Sequence, residues 1–226
     1  MSDTQSNLAG SINLGFNITT FSGTITSSGQ NRLAVVISCC QYSYATGFQV
    51  NSVAMTLISS VNRDNQGTYQ FQQVWILKNP PVGTLTVTGS APGSCGAGAM
   101  VFTNIDQLNT IKEDKSSGGT ANGTFAAADP LGAAVCIGSV SLPAGFTFIM
   151  QESNFVQGGY KMQPTATQAV VYDANNGVSS ICFRYIVPPS GGNPVALSPS
   201  IMMMKKFWNK VLFKHGIWQP NTSLVI

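Results

Sequence analysis

The sequence predicts an all-β fold: an antiparallel β-sandwich of jelly-roll type, with a C-terminal extension that reads as helical. Three observations carry this. Apolar residues recur with a period of two, the mark of strands with one buried face. Turns rich in Pro, Gly, Asn and Asp separate these runs at short, even intervals. No segment before residue 200 reads as an amphipathic helix, so alternating βαβ units and a doubly wound sheet are not expected.

The first strand candidate is INLGFNITTFSGTIT. Leu33, Val35, Ile37 and Cys39 then alternate through NRLAVVISC. FQVNSVAMTLISS and TYQFQQVWIL follow, and Leu85 and Val87 alternate in GTLTVTGS. AGAMVFTNI, GTFAA, GAAVCIGSVSL, GFTFIMQES, TQAVVYD and SSICFRYIV continue the series. In the last of these, Ile181, Phe183, Tyr185 and Val187 alternate. Roughly ten or eleven strands result, at the spacing of a sandwich or jelly roll. NRDNQG, KNPPVG, APGSCGAG, EDKSSGGTANG, ADPLG, LPAG and DANNG are read as turns. Within KNPPVG, the prolines supply no ladder donor and Gly83 permits a left-handed residue. GSCGAGA is read as a plain loop, because no helix follows it to form a phosphate cradle.

Composition narrows the class. Of 226 residues, 43% are hydrophobic and only 8% charged, against a typical quarter. The surface must therefore be built from Ser, Thr, Asn, Gln and Gly. Such a surface suits a protein packed against copies of itself, since few charges protect it from association. The net charge of +3 is unevenly placed. The four lysines Lys205, Lys206, Lys210 and Lys214 lie after Pro199 with no acid among them. The body is close to neutral, which disfavours nucleic acid as its partner. The polar start MSDTQSNLAG lacks the basic and apolar regions of a secretory signal. No run of about 18 apolar residues spans a membrane. Folding in a reducing cytoplasm is expected, with Cys39, Cys40, Cys95, Cys136 and Cys182 as free thiols. Cys39 and Cys40 would point to opposite faces, one to the core and one to the surface. Cys136 and Cys182 would face away from their apolar neighbours, and Trp75 is expected in the core.

Three parts are expected: a sandwich domain over 1–188, a Pro/Gly linker over 189–198, and a basic aromatic arm over 199–226. As a helix from about Ile201 to His215, the arm would align Lys206, Lys210 and Lys214 on one face. Met204, Trp208 and Leu212 would form an apolar stripe beside Met203, Phe207 and Val211. Gly216 and Pro220 would end it. The favoured reading is docking on a neighbouring subunit through Phe207, Trp208, Leu212, Phe213 and Trp218, with Lys206, Lys210 and Lys214 facing solvent or an acidic partner. Packing back on its own domain, or lying on a membrane surface or nucleic acid, are the alternatives.

Catalysis is not expected. The one histidine, His215, lies in the arm, so no Ser–His–Asp or Cys–His arrangement forms in the sandwich. The carboxylates are Asp3, Asp64, Asp106, Glu113, Asp114, Asp129, Glu152 and Asp173. Several lie in turns, where acids usually cap backbone donors. A glycosidase would need two of them in one cleft. No cofactor is expected. Calcium on loop oxygens is the alternative, without a DxDxDG run behind it.

NRLAVVIS, followed about 40 residues later by VWILKNPPVGTLTVTGS, resembles a β-sandwich module of phage virion proteins and other phage-associated chains. Asn31, Arg32, Trp75, Asn79, Pro80, Pro81 and Gly83 carry the likeness, and AMVFTNID would be the next strand. It covers about residues 10–187 and leaves the arm without a counterpart. The resemblance implies a jelly roll similar to lectin-type sandwiches. It also implies a virion structural protein: accessory capsid decoration or cement, or a spike, fibre or tail part, working as a homo-oligomer with other virion proteins. The alternatives are a main capsid shell subunit and a module binding host glycans. Tyr42, Tyr44, Phe48, Tyr69 and Tyr160 are the candidate glycan contacts.

Overall fold

The N-terminal half of the chain builds one sheet and the C-terminal half another. A computed structural model describes residues 6–62, 71–107, 111–116, 122–124, 132–138, 145–152, 156–162, 169–171 and 178–183, all within the compact unit Met1–Val187. They are all-β and antiparallel, with no helix among the described residues. The first sheet contains β1 (Asn7–Ser27), β2 (Leu33–Cys40), β3 (Gly47–Val50), β4 (Val53–Ala54), β5 (Thr56–Asn62), β6 (Phe71–Lys78) and β7 (Gly83–Thr103). Then come β8 (Ile111–Ser116), β9 (Asn122–Thr124), β10 (Ala133–Gly138), β11 (Thr147–Glu152), β12 (Val156–Met162), β13 (Ala169–Val171) and β14 (Val178–Phe183). The first sheet runs β4-β3-β7-β2-β6-β5, with β1 paired to β7; the second runs β11-β12-β10-β14-β8; β13 and β9 pair separately.

A long ribbon of β1 and β7 organises the first sheet. Pairing extends from Asn7 opposite Thr103 to Ser27 opposite Gly83. The register shifts at four places; the largest shift, from Ile18–Cys95 to Thr20–Ser90, makes residues 91–94 bulge from β7. Bulges bend a strand and increase its twist. β7 also changes neighbour here. Val87–Ser90 runs beside β3, and Cys95–Phe102 runs beside β2. The two halves of β1 meet across the bend: a Cβ on Gly23 would lie 2.7 Å from Leu14 Cδ2, and one on Gly10 2.9 Å from the Thr26 carbonyl oxygen. The sheet thereby curls until it nearly closes. Its concave side holds one core, with Phe21, Val36, Phe48, Trp75, Leu85 and Val101. Phe48 sits between Phe21 and Trp75, with ring centroids 5.6 and 5.9 Å away.

The outer face of β2, β6 and β7 is buried too. Leu33, Val35, Ile37, Val74, Ile76, Met100 and Phe102 pack with Ala133, Val135 and Ile137 of β10, Met150 of β11 and Val156 of β12. This makes the two sheets a sandwich. β2 is consequently buried at all eight positions. That is why LAVVISCC is apolar on both faces rather than alternating with polar residues.

Four expectations are corrected. FQVNSVAMTLISS is not one strand: Asn51 (φ 48°) and Ser52 (φ 66°) both take left-handed conformations and turn β3 back into β4. This is a two-residue hairpin turn of the kind that matches strand twist. APGSCGAG is no turn, and GSCGAGA is no loop; both belong to β7. Gly96 and Gly98 keep the strand thin there, because Cβ atoms on them would lie 2.3 Å from the Phe16 ring and 2.7 Å from Ile149 Cγ2. Cys40 and Cys95 form a disulfide, so not all five cysteines are thiols. The register explains the pairing. Gln41 N donates to Ser94 O, so the next pair inward, Cys40–Cys95, is the close non-hydrogen-bonded kind, with Cα atoms 4.0 Å apart. Finally, Cys39 does point away from Cys40, but neither is at the surface. Cys136 is likewise buried, and on the face of β10 opposite to Val135 and Ile137.

Candidate functional site

The first sheet has two ends of contrasting chemistry. At the end where β2 begins, the loops are tied by backbone and side-chain bonds around Arg32. Its Nε donates to Pro80 O at 2.7 Å and its Nη1 to Gly29 O. The Arg32 carbonyl accepts from Asn79 N (2.7 Å) and from Gln107 Nε2 (3.1 Å). Lys78 Nζ donates to Gln107 O at 2.6 Å. Asn31, Asn79 and Asn104 all adopt positive φ here, a conformation Asn tolerates better than most residues. The Asn–Arg and Asn–Pro–Pro segments are thus one clasp that joins the ends of β2, β6 and β7. Replacing Arg32 by Ala leaves these carbonyls without a charged donor. Expected is a loss of about 1.5–3 kcal/mol in denaturant unfolding, and Arg32→Lys recovers only part of it.

At the bulged end a cavity of about 500 Å³ lies beside β3. Phe48, Met55 and Trp75 give it apolar walls, and Gly47 and Gly89 keep it open. Thr46, Gln49, Thr88 and Ser90 supply its polar groups. The bulge sets two of these. Thr46 N donates to Ser90 O at 2.9 Å, and the Thr46 and Ser90 hydroxyl oxygens are 2.7 Å apart. Thr46 Oγ1 also reaches Ser90 O at 3.0 Å. Phe48 can cover Gly89 only because that residue has no side chain: a Cβ there would lie 2.3 Å from the ring. Trp75 is only 8% exposed, and its Nε1 is buried without a hydrogen-bond partner among the described residues.

The expected site residues fare unevenly. The arm residues Lys206, Phe207, Trp208, Lys210, Leu212, Phe213, Lys214 and Trp218 lie outside the described residues, as do the linker and Tyr69. Trp75 is in the core as expected. Of the proposed glycan contacts, Tyr42 is 77% exposed. Tyr44 stacks edge-on against Phe71, and Tyr160 against Phe102. Phe48 alone among them lines the cavity, and it is 1% exposed. The four do not form one surface. The cavity itself was missed by sequence reasoning, since its polar groups come from Thr, Ser and Gln residues that any strand edge carries.

Among the carboxylates, Asp106 follows β7, while Asp3, Asp64, Asp129 and Asp173 lie outside the described residues. Glu113 and Asp114 are on β8 and Glu152 on β11, the opposite edges of the second sheet. Four strand spacings of about 4.8 Å separate those edges. Among the described residues, no three His, Cys, Asp or Glu side chains gather as a metal site. Comparison with protein-family models, with curated proteins and with solved structures finds no match to this chain.

Proposed function

We propose that this chain is a non-enzymatic assembly component. In its finer form, the reading is a bacteriophage virion structural protein: an accessory capsid subunit for decoration or cement, or part of a spike, fibre or tail. It docks on copies of itself and on other virion proteins. One observation carries the assembly reading. Over residues 6–62 and 71–107, the only charged side chains are Arg32, Lys78 and Asp106, all at the clasp end. The rest of that sheet presents neutral side chains, with Tyr42, Val53 and Leu57 exposed among them. A surface this poor in charge has little electrostatic resistance to association. The finer, virion reading rests on the resemblance carried by the Asn31–Arg32 and Asn79–Pro80–Pro81 segments.

Light scattering coupled to size exclusion on the full-length protein tests the assembly reading. A defined oligomer or larger particle is expected, and Tyr42→Lys is expected to shift it toward smaller species. A single monomer at every concentration overturns the reading. In purified particles, copy number separates an accessory part from a main shell subunit.

A further inference from the structure

We infer that the cavity beside β3 is a binding site for an uncharged, polyhydroxylated ligand of the size of a monosaccharide or disaccharide. The inference is independent of the assembly reading, because it rests on the cavity alone.

Size comes first. A volume of about 500 Å³ falls within the range of small-molecule pockets and exceeds what a few ordered waters need. Charge comes next. No lining residue is ionisable, and no helix end points at the site among the described residues. The nearest charged residues of the sheet are Lys78, three residues along β6 from Trp75, and Arg32, four residues before Trp75's partner Val36; they lie roughly 10–13 Å away and both are engaged in the clasp. That exceeds the screening length of about 8 Å at physiological salt. An anionic ligand would therefore find neither a charged donor nor a helix N-terminus.

The polar groups exclude the opposite extreme. A purely apolar ligand would take water from the Gln49 and Thr88 side chains, and from the spare hydrogen-bonding capacity of the Thr46–Ser90 pair, and offer nothing in its place. Each of these side chains can donate and accept, as can each hydroxyl of a sugar. The Thr46–Ser90 hydroxyl pair is held in place by the backbone bond between the same two residues, so it needs little ordering on binding. Trp75 and Phe48, almost wholly buried, form the apolar floor behind the polar rim, against which the C–H groups of a sugar can rest. Trp75 Nε1, a donor without an acceptor among the described residues, belongs to the same floor.

Gly47 gives a clean test, because nothing lies within 4 Å of the position its Cβ would take and its φ is not positive. Gly47→Leu puts its Cβ where no atom lies within 4 Å and extends a side chain at the cavity wall. The probes are glucose, galactose, mannose, N-acetylglucosamine, maltose and lactose at millimolar concentration, read by saturation-transfer NMR on the full chain. At least one is expected to bind the wild type, at least tenfold more weakly to Gly47→Leu, with the thermal midpoint unchanged. Thr46→Val, which removes one hydroxyl of the rim pair, is expected to weaken it as well and serves alone if Gly47→Leu does not fold. The inference is overturned if no neutral sugar binds the wild type, if both variants bind as it does, or if only sialic or glucuronic acid binds.

Discussion

Reduction of the Cys40–Cys95 disulfide is expected to lower the thermal midpoint of this protein by about 8–16 °C. The size follows from chain statistics. The bond closes a loop with a sequence separation of 55 residues. On the loop-closure model, such a crosslink stabilises the folded state by about 4 kcal/mol, by restricting the unfolded chain. Position adds to the effect. The bond sits where β7 leaves β3 and joins β2, so it pins both arms of the sheet at the bend. Calorimetry with and without a phosphine reductant reads the shift. A Cys40→Ala/Cys95→Ala double variant should melt at the lower temperature and ignore the reductant. If wild type melts at the same temperature in both buffers, the bond contributes nothing and the argument fails.

Phe102→Ala is expected to cost about 3–5 kcal/mol. Phe102 is fully buried in β7, opposite Leu33 of β2 and Leu8 of β1. Its ring meets Tyr160 of β12 edge-on at 6.0 Å. The side chain therefore bridges the two sheets, and its loss opens a cavity at their junction where neighbours from four strands would have to move to fill it. Urea unfolding followed by tryptophan fluorescence should show the midpoint fall with the slope unchanged. Phe102→Leu, which keeps most of the volume, should recover more than half of the loss. An equal loss for Leu and Ala would show that ring stacking, not volume, sets the cost.

The fold class was legible because period-two runs such as Leu85 and Val87 in GTLTVTGS report burial directly, whereas Leu33–Cys39, read as alternating, is buried on both faces. What escaped did so for physical reasons. β8, with the sequence IKEDKS, carries four charges and reads as a turn. It is an edge strand, and edge strands are kept charged against unwanted pairing. β12 contains Gly158 and Gly159, which argue against a strand from sequence. Gly158 is required because a Cβ there would lie 2.5 Å from Ile37 Cδ1 and 2.7 Å from Met150 Cγ. The bend in β7 looked like a turn because Pro92 and Gly93 are turn residues; only pairing with β1 shows that the strand continues. The disulfide was hidden for a related reason. A compartment argument weighs cysteines by number, whereas pairing depends on a register that brings residues 55 apart into direct opposition. Asn31, Arg32 and Asn79 stood out in the sequence only as marks of resemblance. Their role as a clasp emerged only from the bonds they make.

The pairing of β1 with β7 also sets a timetable for synthesis. The nearest partners in that ribbon, Ser27 and Gly83, and the farthest, Asn7 and Thr103, are separated by most of the first sheet. At roughly 5–20 residues per second, β1 waits on the order of 4–15 s after its own completion before Thr103 is made. During that interval a 21-residue strand must stay soluble beside the ribosome without its partner. Its Thr20, Ser22, Thr24 and Thr26, which face water in the finished fold, keep the apolar runs short meanwhile. Such long-range pairing makes folding slow as well as late. Production of the protein is therefore governed by how long the nascent chain remains unpaired, and slower growth temperatures with ample chaperone should raise its soluble yield.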